Sequence, residues 1–286
     1  ADPVLENIMR KLVDNPEGAL TPKALAGVRE INIGVDGENT PDGEKVHDLS
    51  GLEYCEDLIS LSIFGHAVAD ISPLAGLTNL EYLDLGSNPI GDLSALSNLH
   101  ILKELTIYCT GVGDLSPLAG CAELEMLSAK INKIEDISVL AGMTQLTVLD
   151  LDANAIRDLD PLAGLSNLAE LYLSNNPIED VSALAGLSEL AVLDLTNNAI
   201  RDARPLAGLS KLTALRLAGN PVEDWSVLSA IYPNLSESDF SPDQLSDATV
   251  IAFDDLVLEA KIREAIGKPE GDVNYADAKS LDGDLY

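Results

Sequence analysis

A 22-residue period constrains this chain more than any other feature. Asn88, Asn132, Asn154, Asn176, Asn198 and Asn220 stand at multiples of it, and Thr110 and His66 fill the remaining places in the series. Units open at Leu58, Leu80, Leu102, Leu124, Leu146, Leu168, Leu190 and Leu212, as in "LTVLDLDANAIRDLDPLAGLSN" (146–167). A less regular unit opens at Val28 and a partial one at Leu235. A period of this length means an array of stacked supersecondary units. Within a unit, Leu149 and Leu151 point to one face of a short strand and Asp150 to the other. No single coil can bury its leucines, so neighbouring coils must bury them together, with their strands joined in one parallel sheet. The turn asparagine carries both donors and an acceptor, enough to bond the backbone of adjacent coils as an interior ladder. Ser72-Pro73, Ser116-Pro117 and Asp160-Pro161 read as N-cap and first residue of one helical turn on the far side of the coil.

The pattern L-x-x-L-x-L-x-x-N-x-L is that of leucine-rich repeats. The unit "VADISPLAGLTNL" (68–80), behind a short helical segment, resembles the internalin-type repeats of bacterial surface proteins, and the resemblance covers roughly residues 4–240. It implies an α/β solenoid: a right-handed superhelix with a parallel β-sheet on the concave face, short 3-10 or α turns on the convex face and an N-terminal helical cap. It also implies a non-catalytic protein-binding module at the bacterial cell surface or secreted from it. No immunoglobulin-like sandwich, sorting motif or export signal accompanies the repeats, so the resemblance speaks for the fold and hardly for host-cell invasion.

Three segments follow. Residues 1–27 are the cap, with Val4, Leu5, Ile8, Leu12 and Val13 as a helical stripe that lids the first rung. Residues 28–242 are the repeat array. Residues 243–286 repeat the head of the chain: Val4, Leu5, Glu6, Arg10, Pro16, Glu17 and Gly18 recur as Val257, Leu258, Glu259, Arg263, Pro269, Glu270 and Gly271. That tail is expected to be a second cap introducing another array; the alternative is a helix sealing the last rung.

Charge and motifs exclude much. A formal charge of −31 repels phosphate backbones, so no nucleic-acid partner is expected. No apolar run is long enough for a membrane helix. No cofactor motif, nucleophile elbow or His–Cys spacing appears, so neither an enzyme nor a metal site is expected. "DLDANAIRD" (150–158) matches half a calcium loop but has Ala155 and Pro161 where glycine and glutamate are needed. The column Asp70, Asp92, Asp114, Asp136, Asp158, Asp180, Asp202 and Asp224 is read as caps on the turns, accepting backbone N–H bonds. Glu135, Arg157, Glu179, Arg201 and Glu223 alternate in sign and are expected to pair along the stack. Cys55 and Cys121 stand where other coils carry leucine and are core substitutes; Cys109 has no evident partner. The insertion "GVDGENTPDGEK" (34–45) is a surface loop, read as an idle insertion, with contact to a ligand or a cation from a lip over the sheet's edge as the alternative.

The candidate site is the concave face. The scaffold requires no particular residue between the strand leucines, yet Phe64, Tyr82, Tyr108 and Tyr172, four of the chain's eleven aromatic residues, fall there, with Met126. Tyrosine and methionine are enriched in interface cores. Asp84, Asp150, Glu170 and Asp194 favour a partner with a basic surface, with Arg216 placed to pair with Asp194. A protein is the expected partner, and a glycan is the alternative ligand. The competing reading is a structural spacer in a tandem-repeat surface protein.

Overall fold

A computed structural model describes residues 2–15, 17–241 and 256–269 of the chain. It opens with α1 (Pro3–Leu12) and the single turn α2 (Pro22–Leu25). Asp2 caps α1, its carboxylate accepting from the amides of Val4 and Leu5, and it also accepts from His47 N–H at 2.7 Å. Burial opposes that charge, but the backbone donors outweigh it and hold the Asp2 carboxyl below its usual range. One side chain therefore starts the cap helix and ties it to the first long coil. The buried face of α1 is Leu5 and Met9, whereas Leu12, expected on the core stripe, is exposed.

Ten strands follow: β1 (Glu30–Asn32), β2 (Ser60–Ser62), β3 (Tyr82–Asp84), β4 (Glu104–Thr106), β5 (Met126–Ser128), β6 (Val148–Asp150), β7 (Glu170–Tyr172), β8 (Val192–Asp194), β9 (Ala214–Arg216) and β10 (Glu237–Ser238). They pair in parallel and in sequence order, so the sheet is one open array in which neighbouring strands are consecutive in the chain. The register puts Leu61, Leu83, Leu105, Leu127, Leu149, Leu171, Leu193 and Leu215 in one inward column. In one coil Leu146, Leu149, Leu151, Ile156, Leu159, Leu162 and Leu165 are all buried, each contributing about 1.5–3 kcal/mol of transfer free energy. Cys55 and Cys121 lie fully in this core, which raises both thiols to about 11.

The asparagine ladder forms as the period requires. Asn88 Nδ2 donates to the carbonyls of Ile63 and Leu85, and its Oδ1 accepts from Val68 N–H. Asn132, Asn154, Asn176, Asn198 and Asn220 repeat the arrangement. His66 does the same work with a ring: Nδ1 accepts from Val46 N–H at 3.1 Å, and Nε2 lies 2.7 Å from Ile33 O, the distance of a donated bond. Thr110 bonds Ile107 O and Asn132 Oδ1 instead.

The convex side carries 3-10 turns such as Ser72–Leu74 and Ser138–Gly142. The serines and Asp160 are not their N-caps, as the Ser-Pro and Asp-Pro pairs suggested; they are the first residues of the turns. The caps come from the aspartate column. Asp70, Asp92, Asp114, Asp136, Asp158, Asp180, Asp202 and Asp224 each accept from the amide two residues on, at 2.8–2.9 Å. A carboxylate two residues upstream reaches the free N–H without leaving the turn's backbone path. Of the alternating charge column, Arg201 and Glu223 pair at 3.0 Å, and no other ion pair within it forms among the described residues.

At the far end Phe240 packs against Trp225 and Tyr232, with ring centroids 5.2 and 5.8 Å apart. These rings close the last coil. A further helix, α3 (Leu256–Ala265), lies in the tail; residues 242–255 and 270–286, most of the expected second cap, fall outside the described residues.

Candidate functional site

Strand pairing sorts the expected site residues into three outward columns. Tyr82, Met126 and Glu170 lie in the first, at the strand starts; Tyr82 is 39% exposed and Met126 half-buried. Asp84, Asp150, Tyr172, Asp194 and Arg216 lie in the second. Phe64 and Tyr108 lie two residues past the strand ends, where ladder bonds continue through Val35 N–H to Phe64 O and Ser87 N–H to Tyr108 O.

The acids of the second column belong partly to the scaffold. Asp84, Asp150 and Asp194 accept from the amides of Gly86, Asp152 and Thr196, each two residues on, at 2.9–3.2 Å. Asp150 also pairs with Lys130 at 3.2 Å and Asp194 with Arg216 at 3.6 Å, while Arg216 reaches Glu237 at 2.7 Å. Tyr172 donates its hydroxyl to Glu170 at 2.8 Å; burial and that acceptor raise its pKa to about 12. Asp152 is half-buried, accepts from Ser174 N–H and feels Asp150 and Asp194, so burial chiefly pushes its carboxyl up. Among the described residues, no group of three or more His, Cys, Asp or Glu side chains is arranged to hold a metal ion.

Phe64 and Tyr108 have a seat that individual repeats do not reveal. A Cβ on Gly34 would fall 2.1 Å from Phe64 Cδ1, and one on Gly86 would fall 2.3 Å from Tyr108 Cε1. Each ring therefore lies against the bare backbone of the preceding rung. The signal is present in the sequence only as a column across coils: Gly34, Phe64, Gly86, Tyr108. Beside these rings the 34–45 lip encloses a groove of about 790 Å³, with Val35, Asp36 and Glu38 on the lip side and Cys109 opposite.

Residues 56–98 match the family model for leucine-rich repeats in two copies, and residues 144–200 and 166–222 match the leucine-rich repeat model. The crystal structure of internalin C2 from Listeria monocytogenes is 35% identical over 76% of this chain and 93% of that one, with a TM-score of 0.71. This chain belongs to the internalin-type leucine-rich repeat proteins. Two more distant structures share the fold with it. A leucine-rich repeat protein of Leptospira interrogans is 24% identical (TM-score 0.62; 70% of this chain, 51% of that one). The functional domain of InlJ from L. monocytogenes, described as including a cysteine ladder, is 20% identical (TM-score 0.64; 83% and 59%). No curated protein sequence matches the chain. The internalin-type solenoid is commonly a protein-interaction module, and here its ladder is asparagine except at His66 and Thr110, while its cysteines lie in the core and on the edge.

Proposed function

We propose that the chain is a non-catalytic protein-binding module of a bacterial surface or secreted protein, and that the partner docks on the concave strands. The observation that carries this reading is the outward pair Tyr82 and Met126. The sheet register puts both on one outward column, two rungs apart, with Tyr82 39% exposed and Met126 half-buried. An aromatic and a thioether there supply the desolvated centre of an interface. The carboxylates of Asp84, Asp150, Glu170 and Asp194, though internally bonded, keep acceptor sites on the outward face and favour a partner with basic residues over a glycan. The test is capture of a partner from bacterial-surface and host-cell extracts by the native protein and by a Tyr82→Ala, Met126→Ala, Tyr172→Ala variant with the same thermal unfolding. A protein held by the first and lost by the second supports the reading. Equal retention removes the concave face from consideration.

A spacer role in a tandem-array protein has its own support in α3. Arg263 pairs with Glu259 at 2.8 Å as Arg10 pairs with Glu6 in α1. Both helices end alike, with Asn15 N–H on Arg10 O and Lys268 N–H on Arg263 O, around Asp14 and Gly267 at positive φ. Recurrence of side-chain pair and terminal turn favours reading residues 243–286 as a second cap. Capture of no partner from any extract would turn the choice to the spacer.

A further inference from the structure

From Gly65 onward, eight coils leave their strands through one residue of left-handed backbone, with φ between 53° and 79°. Glycine, and next asparagine, are the residues that this conformation favours. They fill it at Gly65, Asn175, Asn197 and Gly219. The middle of the column is different: Ser87, Cys109, Ile131 and Ala153. Ile131 is the extreme case, a β-branched residue at φ 54° whose side chain is 53% exposed. Cys109, one rung earlier at φ 53°, is exposed too. Neither side chain enters the core, so the fold gains nothing from the strain or from the apolar surface. Held strain of this kind marks positions whose side chain matters for something else.

Of the two, Cys109 lines the lip groove. It forms the far wall, and Ile131 lies one rung beyond, about 5 Å along the stack. The floor is the pair of rings seated on Gly34 and Gly86. The near wall carries Asp36 and Glu38 beside Lys45, whose ammonium is turned away onto Gly37 O at 2.6 Å. The Asp36 carboxylate is bound up with Asn39, but Glu38 makes no ion pair among the described residues. On the ridge side Lys130 is held by Asp150, which leaves Lys133 as the outlying cation.

We propose that this edge is a docking site for a polypeptide segment bearing an arginine or lysine beside an aliphatic or aromatic side chain. The cation lies against Glu38 and Asp36 on the lip, and successive apolar side chains of the segment lie on the Phe64 ring, on the Tyr108 ring and against Ile131, which are spread over about 14 Å of the stack. The site goes beyond the concave strands: it shares Phe64 and Tyr108 with them but needs none of Tyr82, Met126 or Tyr172.

The test uses a fluorescein-labelled hexapeptide of alternating arginine and leucine, followed by anisotropy. The reaction of Cys109 with 5,5′-dithiobis(2-nitrobenzoate) is followed in parallel, because Cys55 and Cys121 are buried and Cys109 is the exposed thiol. The expected result is saturable binding that slows the thiol reaction. Ile131→Asn and Glu38→Gln should each weaken binding by about tenfold, the effect of losing one well-placed contact. Ile131→Asn should at the same time unfold at a higher temperature, so its loss of binding cannot be misfolding. The Tyr82→Ala, Met126→Ala, Tyr172→Ala variant should bind the peptide unchanged, which separates failure of this site from failure of the concave one. Equal affinity of Ile131→Asn, equal binding of an alternating arginine–glycine hexapeptide, an unslowed thiol reaction or no saturable binding would each overturn the proposal.

Discussion

Asn176 offers the most direct test of what holds the coils in register. Its side chain is buried and makes four contacts: Oδ1 accepts from Ile156 N–H at 3.0 Å, and Nδ2 reaches Leu151 O, Leu173 O and Ser174 O at 3.1–3.2 Å. Replacing it with alanine does not orphan every partner. Leu151 O keeps a donor in Asn154 Nδ2 and Leu173 O keeps one in Asn198 Nδ2, both at 3.0 Å. Ile156 N–H, fully buried, loses its acceptor outright. One orphaned buried amide costs about 1–3 kcal/mol, and the weakened carbonyl bonds add about 1 kcal/mol together, so Asn176→Ala should lose about 2–4 kcal/mol. Urea unfolding followed by Trp225 fluorescence and by far-ultraviolet circular dichroism measures the loss, and coincidence of the two transitions shows whether the stack still unfolds as one unit. Amide exchange should quicken at Ile156 and stay unchanged at Val68, whose acceptor is Asn88 four rungs away. A loss below about 1 kcal/mol with Ile156 still protected would refute the ladder as the inter-coil tie.

Other outcomes follow from the same geometry. His66 is buried as the neutral acceptor of Val46 N–H, and burial holds its pKa below the ordinary imidazole value of 6.5. The unfolded chain therefore binds that proton first, and stability should fall as pH drops below 6.5; in His66→Asn this part of the urea-midpoint shift should disappear. Asp152 has its pKa raised, so its ionised form costs stability above that pKa. Asp152→Asn, which can still accept from Ser174 N–H, should melt higher at neutral pH, with the gain vanishing in acid. Gly86→Ala should drive the Tyr108 ring off its seat, changing the near-ultraviolet dichroism while the far-ultraviolet spectrum stays the same.

Two rules of the sequence, the 22-residue period and the two-residue alternation of the leucines, were enough to specify the parallel order of the strands, the inward leucine column, the ladder and the capping role of Asp70 and its seven equivalents. These are legible because each is a backbone requirement met once per coil, and a requirement repeated eight times stands out from local variation. Single departures from the repeat needed the tertiary structure. The period marked His66 as a ladder position but could not show that an imidazole spans the same donor–acceptor pair as an amide. Ser72 and Asp160 looked like N-caps because capping chemistry permits them; the path of the turn makes them its first residues instead. Asp84, Asp150 and Asp194 read as charges for a basic partner, with Asp194 able to pair with Arg216; that an amide two residues on lies within reach of each emerged only from the coil geometry. The lip groove, the rings seated on Gly34 and Gly86 and the exposed Ile131 depend on which residues face one another across neighbouring rungs. That is set by the packing of the whole stack, because contacts between residues 22 or more positions apart exist only once the coils have closed on one another.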